Sequence, residues 1–487
     1  MTRRSALVLA PSLFAAFVSA QPFTWQWSVS ATSTVSVPDI HGMATDADGN
    51  SYITGQFYGT ATFGQLPPLT SAGESDVFVA KYDNSGQAVW AVRAGGTDVD
   101  LALGLDEDGQ GHVYITGYFQ SPTAAFGSNS LTLSGTMDIF CARLDGSNGN
   151  FDWSHRYGDN NNSLEPNEQG NAIACDADGN VYVTGRFHYY MTVPGLSELQ
   201  GCSQYFTTFL MKLAPDGSGI WSRTPECGHG GFTLRSSEGQ RLAVNDAGDL
   251  YLGFRYRGDT CFIEGDTLLY GAFTTETFDG VLVRYDTDGG YQWSRRIGGQ
   301  GYDDFEAMDV DSEGACYSAM HREGTYSLPD LYEDFAGQFG YYKNVVFKTA
   351  PDGHVIWSDR IGNSSYDHGI NGFKLDGLGN LYVGGWYDGH FEIEDYEPLP
   401  NTFGFSGLYA ARFDTAGVLG DVFASRHFAG RGVAGLGLDA SANVYISGYF
   451  RDTLAFPGLP TLEVDAVAAF VARSGDLSTA LEDVRAN

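Results

Sequence analysis

The residues of this sequence best suited to chemistry fall into repeating sets. Acidic turns of the form Asp-x-Asp-Gly start at Asp46, Asp106 and Asp176, and related turns follow further on. A Ca2+ loop draws several oxygens from one short segment, and Asp176, Asp178 and Asn180 would offer three. A tight β-hairpin demands the same residues: an Asp or Asn to bond its own backbone, and a Gly to take positive φ. None is followed by the distal bidentate Glu of an EF-hand loop. They are read as structural turns, with no metal site and no cofactor assigned, and with weak, salt-sensitive calcium binding at most.

A second set lies five residues before the Asp or Asn that opens each turn. His41, Asn171, Gln240, Glu306 and Asn371 are polar there, with Leu101 and Ala434 as exceptions. Asp100, Asp304 and His368 stand next to them. Together these residues form a candidate ligand-binding cup whose donors and acceptors suit sugar hydroxyls. The plainer alternative is a solvated channel end without a ligand. Glycoside hydrolysis needs only two facing carboxylates, and Glu306, Asp304 and Asp100 are the candidates for it. Nearer the turn, Asp309 and Lys374 hold equivalent places in adjacent copies and are expected to form a buried ion pair, since either alone would be costly.

Other chemistry leaves little trace. There is no Gly-x-Ser-x-Gly elbow, His-Glu-x-x-His helix or Walker loop, and the 10 His show no zinc-site spacing on one element. No catalytic residue is assigned. Of 6 Cys, Cys141, Cys175 and Cys316 lie in strand-like runs and read as small buried hydrophobes. Cys202, Cys227 and Cys261 are placed in loops on one face. A disulfide is expected there, Cys202 with Cys227 or Cys227 with Cys261, adding about 2–4 kcal/mol by constraining the unfolded chain.

The elements that must position these residues come from a repeat. The run from Asp46 to Phe57 recurs from Asp106 and Asp176, and in weaker form from Asn245, Asp311, Asp376 and Asp439. The tyrosines Tyr52, Tyr114, Tyr182, Tyr251, Tyr317, Tyr382 and Tyr445 are 62, 68, 69, 66, 65 and 63 residues apart. Trp27, Trp90, Trp153, Trp221, Trp293 and Trp357 repeat in step, with Phe423 in the next place. Each unit reads as four short strands with period-2 patterning. Repeated four-stranded units are the mark of a β-propeller. The expected fold is therefore all-β, a seven-bladed β-propeller of four-stranded antiparallel blades. The chain starts on an outermost-type strand around Trp27 and ends on a third-type strand at Ala468 to Arg473. The N-terminal strand is thus expected to complete the last blade and close the ring.

Residues 1–20 read as a signal peptide: Arg3 and Arg4, a short apolar run, and the small-residue site Val18-Ser19-Ala20. The propeller is expected over 21–475 and a tail over 476–487. No segment approaches a membrane span. Asp and Glu outnumber Lys and Arg 60 to 27, giving −33, so nucleic acid and acidic membranes are poor partners. With 43% hydrophobic residues the chain can still bury a large core, which argues against disorder.

The units resemble the bacterial extracellular SBBP family, a seven-bladed propeller repeat. The likeness rests on Gly170 to Gly185 (GNAIACDADGNVYVTG) and on DVFVAKYDNSG from Asp76. It extends over nearly all of the chain after residue 20 and weakens in the fourth and fifth units. It implies a secreted protein and carries over no catalytic residue. The closing LEDVRAN is similar to the link that precedes type IX secretion sorting domains. A Trp five residues after an Asp (Asp216 and Trp221, Asp288 and Trp293, Asp352 and Trp357) resembles the sialidase Asp-box. Gly follows Asp immediately, however, and the Ser of that motif is missing, so the Trp is read as an outer-strand residue packing on the next unit. The expectation is a secreted, monomeric, non-catalytic binding or scaffold module that recognises carbohydrate or an extracellular protein through its loop-rich face. A polysaccharide-acting enzyme and a cell-surface spacer are the alternatives.

Overall fold

Apolar residues at every second position make strands, and the Asp/Gly turns between them keep those strands short. The computed structural model describes residues 23–159, 168–201, 205–225, 236–257, 260–263, 267–270, 277–299, 301–323, 326–327, 342–362, 368–388, 393, 406–426 and 432–475. The expected signal segment and tail lie outside them. Among the described residues every regular element is a β-strand, and no helix is long and apolar enough to cross a membrane.

The fold is all-β, built from antiparallel four-stranded sheets, an arrangement consistent with a β-propeller. The second sheet shows the pattern, pairing Asp100–Glu107, His112–Phe119, Asp138–Asp145 and Phe151–Tyr157 in chain order. The corresponding innermost strands of the other sheets are Ser36–Thr45, Gln169–Cys175, Ser236–Val244, Asp303–Val310, His368–Leu375 and Val433–Leu438. The sheet that starts at Val433 takes its fourth strand from the other end of the chain. There Thr24–Ser33 runs antiparallel to Leu462–Gly475, with Ala31 opposite Ala469.

Apolar side chains are buried between consecutive sheets. Val79 and Trp90 of the first sheet pack with Leu105, Ile115 and Phe140 of the second. Ile53 and Phe78 of the first also pack with Tyr449 and Val471 of the last. Where inner strands converge, only small residues fit. A methyl group at Gly42 would lie 2.9 Å from the Leu105 side chain, and one at Gly435 would lie 2.5 Å from Met43.

Polar bonds lock the sheets at the turn end. In each of six cases an outer-strand indole reaches the next sheet's outer turn and donates to a carbonyl: Trp27 to Asn84, Trp90 to Gly146, Trp153 to Pro215, Trp221 to Thr287, Trp293 to Pro351 and Trp357 to Thr415. Phe423, without an N–H, packs instead on Trp25, with ring centroids 4.8 Å apart. The acidic turns use their oxygens internally. Asp176 Oδ1 accepts from the backbone N–H groups of Asp178 and Asn180, and Oδ2 accepts from Tyr182 Oη at 3.0 Å.

One register expectation needs correction. In the second sheet the turn opens at Asp108, not Asp106: Asp108 accepts from the backbone of Gln110 and His112 and from Tyr114 Oη. Tyr114 lies six residues after Asp108, as Tyr52 lies six after Asp46. Two extra residues in the run mislead a count from Asp106. Leu103, not Leu101, is therefore the fifth residue back, and Asp106 is the equivalent of Asp309 and Lys374.

Candidate functional site

Each inner strand slips by one residue against its neighbour, and the residue left over is His41, Leu103, Asn171, Gln240, Glu306, Asn371 or Ala434. A bulge bends its strand and re-aims one side chain. All seven of these residues line one cavity of about 810 Å3. The polar set expected to form a cup is thus brought together, with the mechanism that aims it.

Much of the set's hydrogen-bonding capacity is used between strands. Asn171 Nδ2 donates to the Gly239 carbonyl at 2.9 Å, and Gln240 Oε1 accepts from Phe305 N at 2.8 Å. Glu306 Oε2 accepts from Ile370 N, and Asn371 Nδ2 donates to the Val433 carbonyl, both at 3.0 Å. Each side chain therefore holds the next inner strand in place. His41 Nε2 lies 3.3 Å from the Asp39 carboxylate, which also accepts from Tyr449 Oη at 2.7 Å.

A second ring escaped the sequence reading. Four residues after each repeat tyrosine stand Gln56, Tyr118, Arg186, Arg255, His321, Trp386 and Tyr449. Every one is polar or aromatic, and that regularity was available in the sequence. Trp386 and Tyr449 line the cavity. Arg255 bonds Glu238 Oε2 at 2.7 Å and Asp304 Oδ1 at 2.9 Å, and Arg186 lies 3.3 Å from Glu238 Oε1. The guanidiniums of Arg186 and Arg255 also sit over the rings of Phe206 and Phe278, at 4.4 and 4.6 Å. The neighbouring Asp304 and Glu238 charges outweigh the burial of Arg255, so its pKa is raised.

The remaining candidates lie elsewhere or differ in detail. Asp304 stands beside the cavity, held by Arg255 and by Gln240 Nε2 at 3.0 Å. Asp100 is fully buried away from it, with its oxygens bonded by Gly96 N, Gln120 N, Ser121 N and Ser121 Oγ. Burial pushes the Asp100 carboxyl up, against those bonds. His368 is buried at the start of its strand, against Gly362. The structure therefore does not bring Asp100 and His368 into the cavity. Asp309 and Lys374 do pair, with Nζ 3.7 Å from Oδ2, but the lysine side chain is 47% exposed, so the pair is not buried as expected. Asp309 first, then Asp106 and Glu107, hold the Lys374 pKa up.

Cys261 is a free, buried thiol in the short hairpin of Thr260–Ile263 with Thr267–Tyr270, not in a loop. It packs with Leu252 and Ile263, which leaves the expected Cys227–Cys261 bridge without its second partner. Cys202 and Cys227 lie outside the described residues. Among the described residues no group of three or more His, Cys, Asp or Glu could hold a metal ion.

Arg241 was also missed. It lines the cavity from the place where the other inner strands carry Gly42, Gly104, Ala172, Ala307, Gly372 and Gly435. Its Nε donates to the Glu306 carbonyl and its Nη1 to the Gln240 carbonyl at 2.7 Å. A single large cation in a row of glycines and alanines was the signal.

Comparison with known proteins places the chain only broadly. It matches no known protein-family profile. Over 96 residues it is 34% identical to the uncharacterized WD repeat-containing protein L264 of Acanthamoeba polyphaga mimivirus, a stretch covering 18% of this chain and 7% of that protein. It is also similar, at low identity, to solved structures. One is quinohemoprotein alcohol dehydrogenase from Comamonas testosteroni, at 10% identity and TM-score 0.40, covering 92% of this chain and 76% of that one. Another is an ulvan lyase of polysaccharide lyase family PL25, at 10% identity and TM-score 0.44, covering 87% and 93%.

Proposed function

We propose that the chain is an exported, seven-bladed β-propeller of SBBP type, closed by its N-terminal strand, which binds carbohydrate at the cavity without turning it over. Closure is supported by the Thr24–Ser33 pairing and by the apolar cluster joining the last sheet to the first. Export is supported by the character of residues 1–20. One observation carries the binding reading: Trp386 and Tyr449 line the same cavity as Asn171, Gln240, Glu306 and Asn371. Aromatic faces beside fixed amides and carboxylates suit the apolar faces and hydroxyls of a sugar ring.

The carboxylates favour binding over catalysis. Glu306 is bonded by Ile370 N, and Asp304 by Gln240 and Arg255, so both are engaged in holding strands. The enzyme reading keeps one observation in its favour, two carboxylates, Glu238 and Glu306, lining the same cavity. A polysaccharide binding screen of the secreted form, with product analysis on the same samples, decides between them. The expected result is a hit without product, weakened about fivefold in Trp386→Ala, since an aromatic contact contributes roughly 1 kcal/mol. Product would establish the enzyme reading. Binding indifferent to Trp386→Ala would move the site to the loops, and silence would point to a protein partner or a spacer.

A further inference from the structure

Arg241 stands out in charge as well as size. The chain carries −33 overall, yet this guanidinium makes no ion pair among the described residues. Its two hydrogen bonds among the described residues go to the backbone carbonyls of Glu306 and Gln240, which fix the plane of the group without neutralising it. The nearby Glu238 and Asp304 are already taken up by Arg186 and Arg255. Burial lowers the Arg241 pKa even against the surrounding Glu306, Asp304 and Glu238. A half-buried guanidinium held flat by carbonyls, with an open cavity beside it, is prepared for a planar or tetrahedral anion.

We infer that the cavity selects an acidic sugar, whose carboxylate or sulfate ester is received by Arg241. This rests on the carbohydrate reading above and narrows it. Glu238 and Glu306 share the cavity and act on Arg241 through their charge, but neither forms an ion pair with it, which leaves the guanidinium a place for an acid group of the ligand. The overall charge of −33 would otherwise disfavour a polyanion. At about 0.15 M salt, however, the Debye length is about 8 Å, so the charge outside the cavity is largely screened there.

The test is a titration of polygalacturonate, a sulfated galactan and a neutral galactan into the wild-type chain, Arg241→Gln and Arg241→Lys, each checked for its strand circular dichroism. For the wild type, at least one acidic polymer is expected to bind about tenfold tighter than the neutral one, the factor that a charged hydrogen bond of about 1.4 kcal/mol provides. In Arg241→Gln that ratio falls to near one, and in Arg241→Lys, which keeps the charge but not the fork, it falls part of the way. The two acidic arms distinguish carboxylate from sulfate. If Arg241→Gln does not fold, the Lys variant carries the test, and an unchanged ratio there would overturn the proposal. Neutral galactan binding as tightly as both acids would also overturn it while leaving the carbohydrate reading in place. Binding of no polymer would sink both.

Discussion

The interlock between sheets can be tested at one carbonyl. Gly146 is buried in the outer turn of the second sheet, and two donors from the first sheet converge on its oxygen, Trp90 Nε1 at 3.1 Å and Lys81 Nζ at 3.0 Å. Trp90→Phe removes one bond and part of a ring that is only 7% exposed. A net hydrogen bond contributes about 1 kcal/mol, and the lost indole area, roughly 40 Å2 at 25 cal/mol per Å2, adds about 1 more. Lys81→Met keeps the stem over Tyr52 and loses one bond and a 5.0 Å cation–π contact, for about 1 kcal/mol. Either single change leaves the carbonyl one partner. The double change leaves it none, and an unsatisfied buried acceptor costs a further 1–3 kcal/mol or so. The double variant should therefore lose about 1 kcal/mol or more beyond the sum of the singles. The assay is urea unfolding followed by circular dichroism, with an unchanged m-value as the check that the unfolded states are comparable. Additivity within about 0.5 kcal/mol would mean that the two donors act independently, and the shared-acceptor reasoning would fail.

Three further outcomes follow from the charges and thiols. Glu168 and Asp138 are buried beside one Arg156 guanidinium, which lies 3.0 Å from Asp138. Burial, then the Asp138 charge, pushes Glu168 up to about 9, and burial pushes Asp138 up to about 6. Both pKa values are raised on folding, so their stabilisation is complete at low pH and is lost as pH rises through about 6 and then about 9. Glu168→Gln should flatten the fall in Tm between pH 7 and 9.5; a parallel fall would refute the assignment. Lys374→Met leaves Asp106 and Asp309 without their cation and should cost about 1 kcal/mol at pH 7, discounted for the lysine's exposure. Burial already raises Asp106, so the deficit should shrink as pH falls and that carboxyl protonates, which unfolding at pH 4 and 7 would check. Cys141, Cys261 and Cys316 are buried, and burial pushes the Cys316 thiol up to about 12. Thiol labelling mapped by mass should mark none of the three before unfolding.

The sequence announced the parts that local chemistry controls. Asp and Gly at fixed offsets force the turns, alternation forces the strands, and the Tyr and Trp spacings reveal the repeat. Six of the seven Trp-type positions hold an indole because a directional bond to the next sheet needs an N–H there. The cup residues were found for a reason the sequence does not contain. They looked like one polar position among small neighbours, whereas a bulge in each inner strand turns them into the cavity. The two extra residues at Asp106 to Asp108 show the limit of counting from a motif, since either Asp could open the turn. Counting from Tyr114 would have resolved it and placed Asp106 opposite Lys374. The ring of Gln56, Tyr118, Arg186, Arg255, His321, Trp386 and Tyr449 was missed because its members share no residue type, only a position.

The distribution of polar bonds suggests why a ligand would be held at the cavity and not at the turns. At the turn end the opening aspartates accept from their own backbone, Asp46, Asp108, Asp176 and Asp439 also from a tyrosine, and the six outer-strand indoles are committed to carbonyls; a ligand there would have to break bonds that hold sheets together. At the cavity Asn171 and Asn371 commit their amide nitrogens to the neighbouring strand and present their amide oxygens beside open volume. Asn171, for instance, commits its Nδ2 to Gly239 and Glu238. Such side chains cannot swing, so they cost little entropy to order when a ligand arrives. Binding through them would also report on the strands they hold. A ligand bonded to Asn171, Gln240 or Asn371 should therefore raise the unfolding midpoint in proportion to its occupancy, following the logarithm of ligand concentration over Kd. A ligand on the outer loops would raise it by the same law and protect globally exchanging amides alike, so added protection of locally exchanging amides confined to Gln169–Cys175, Ser236–Val244 and His368–Leu375 separates the two sites.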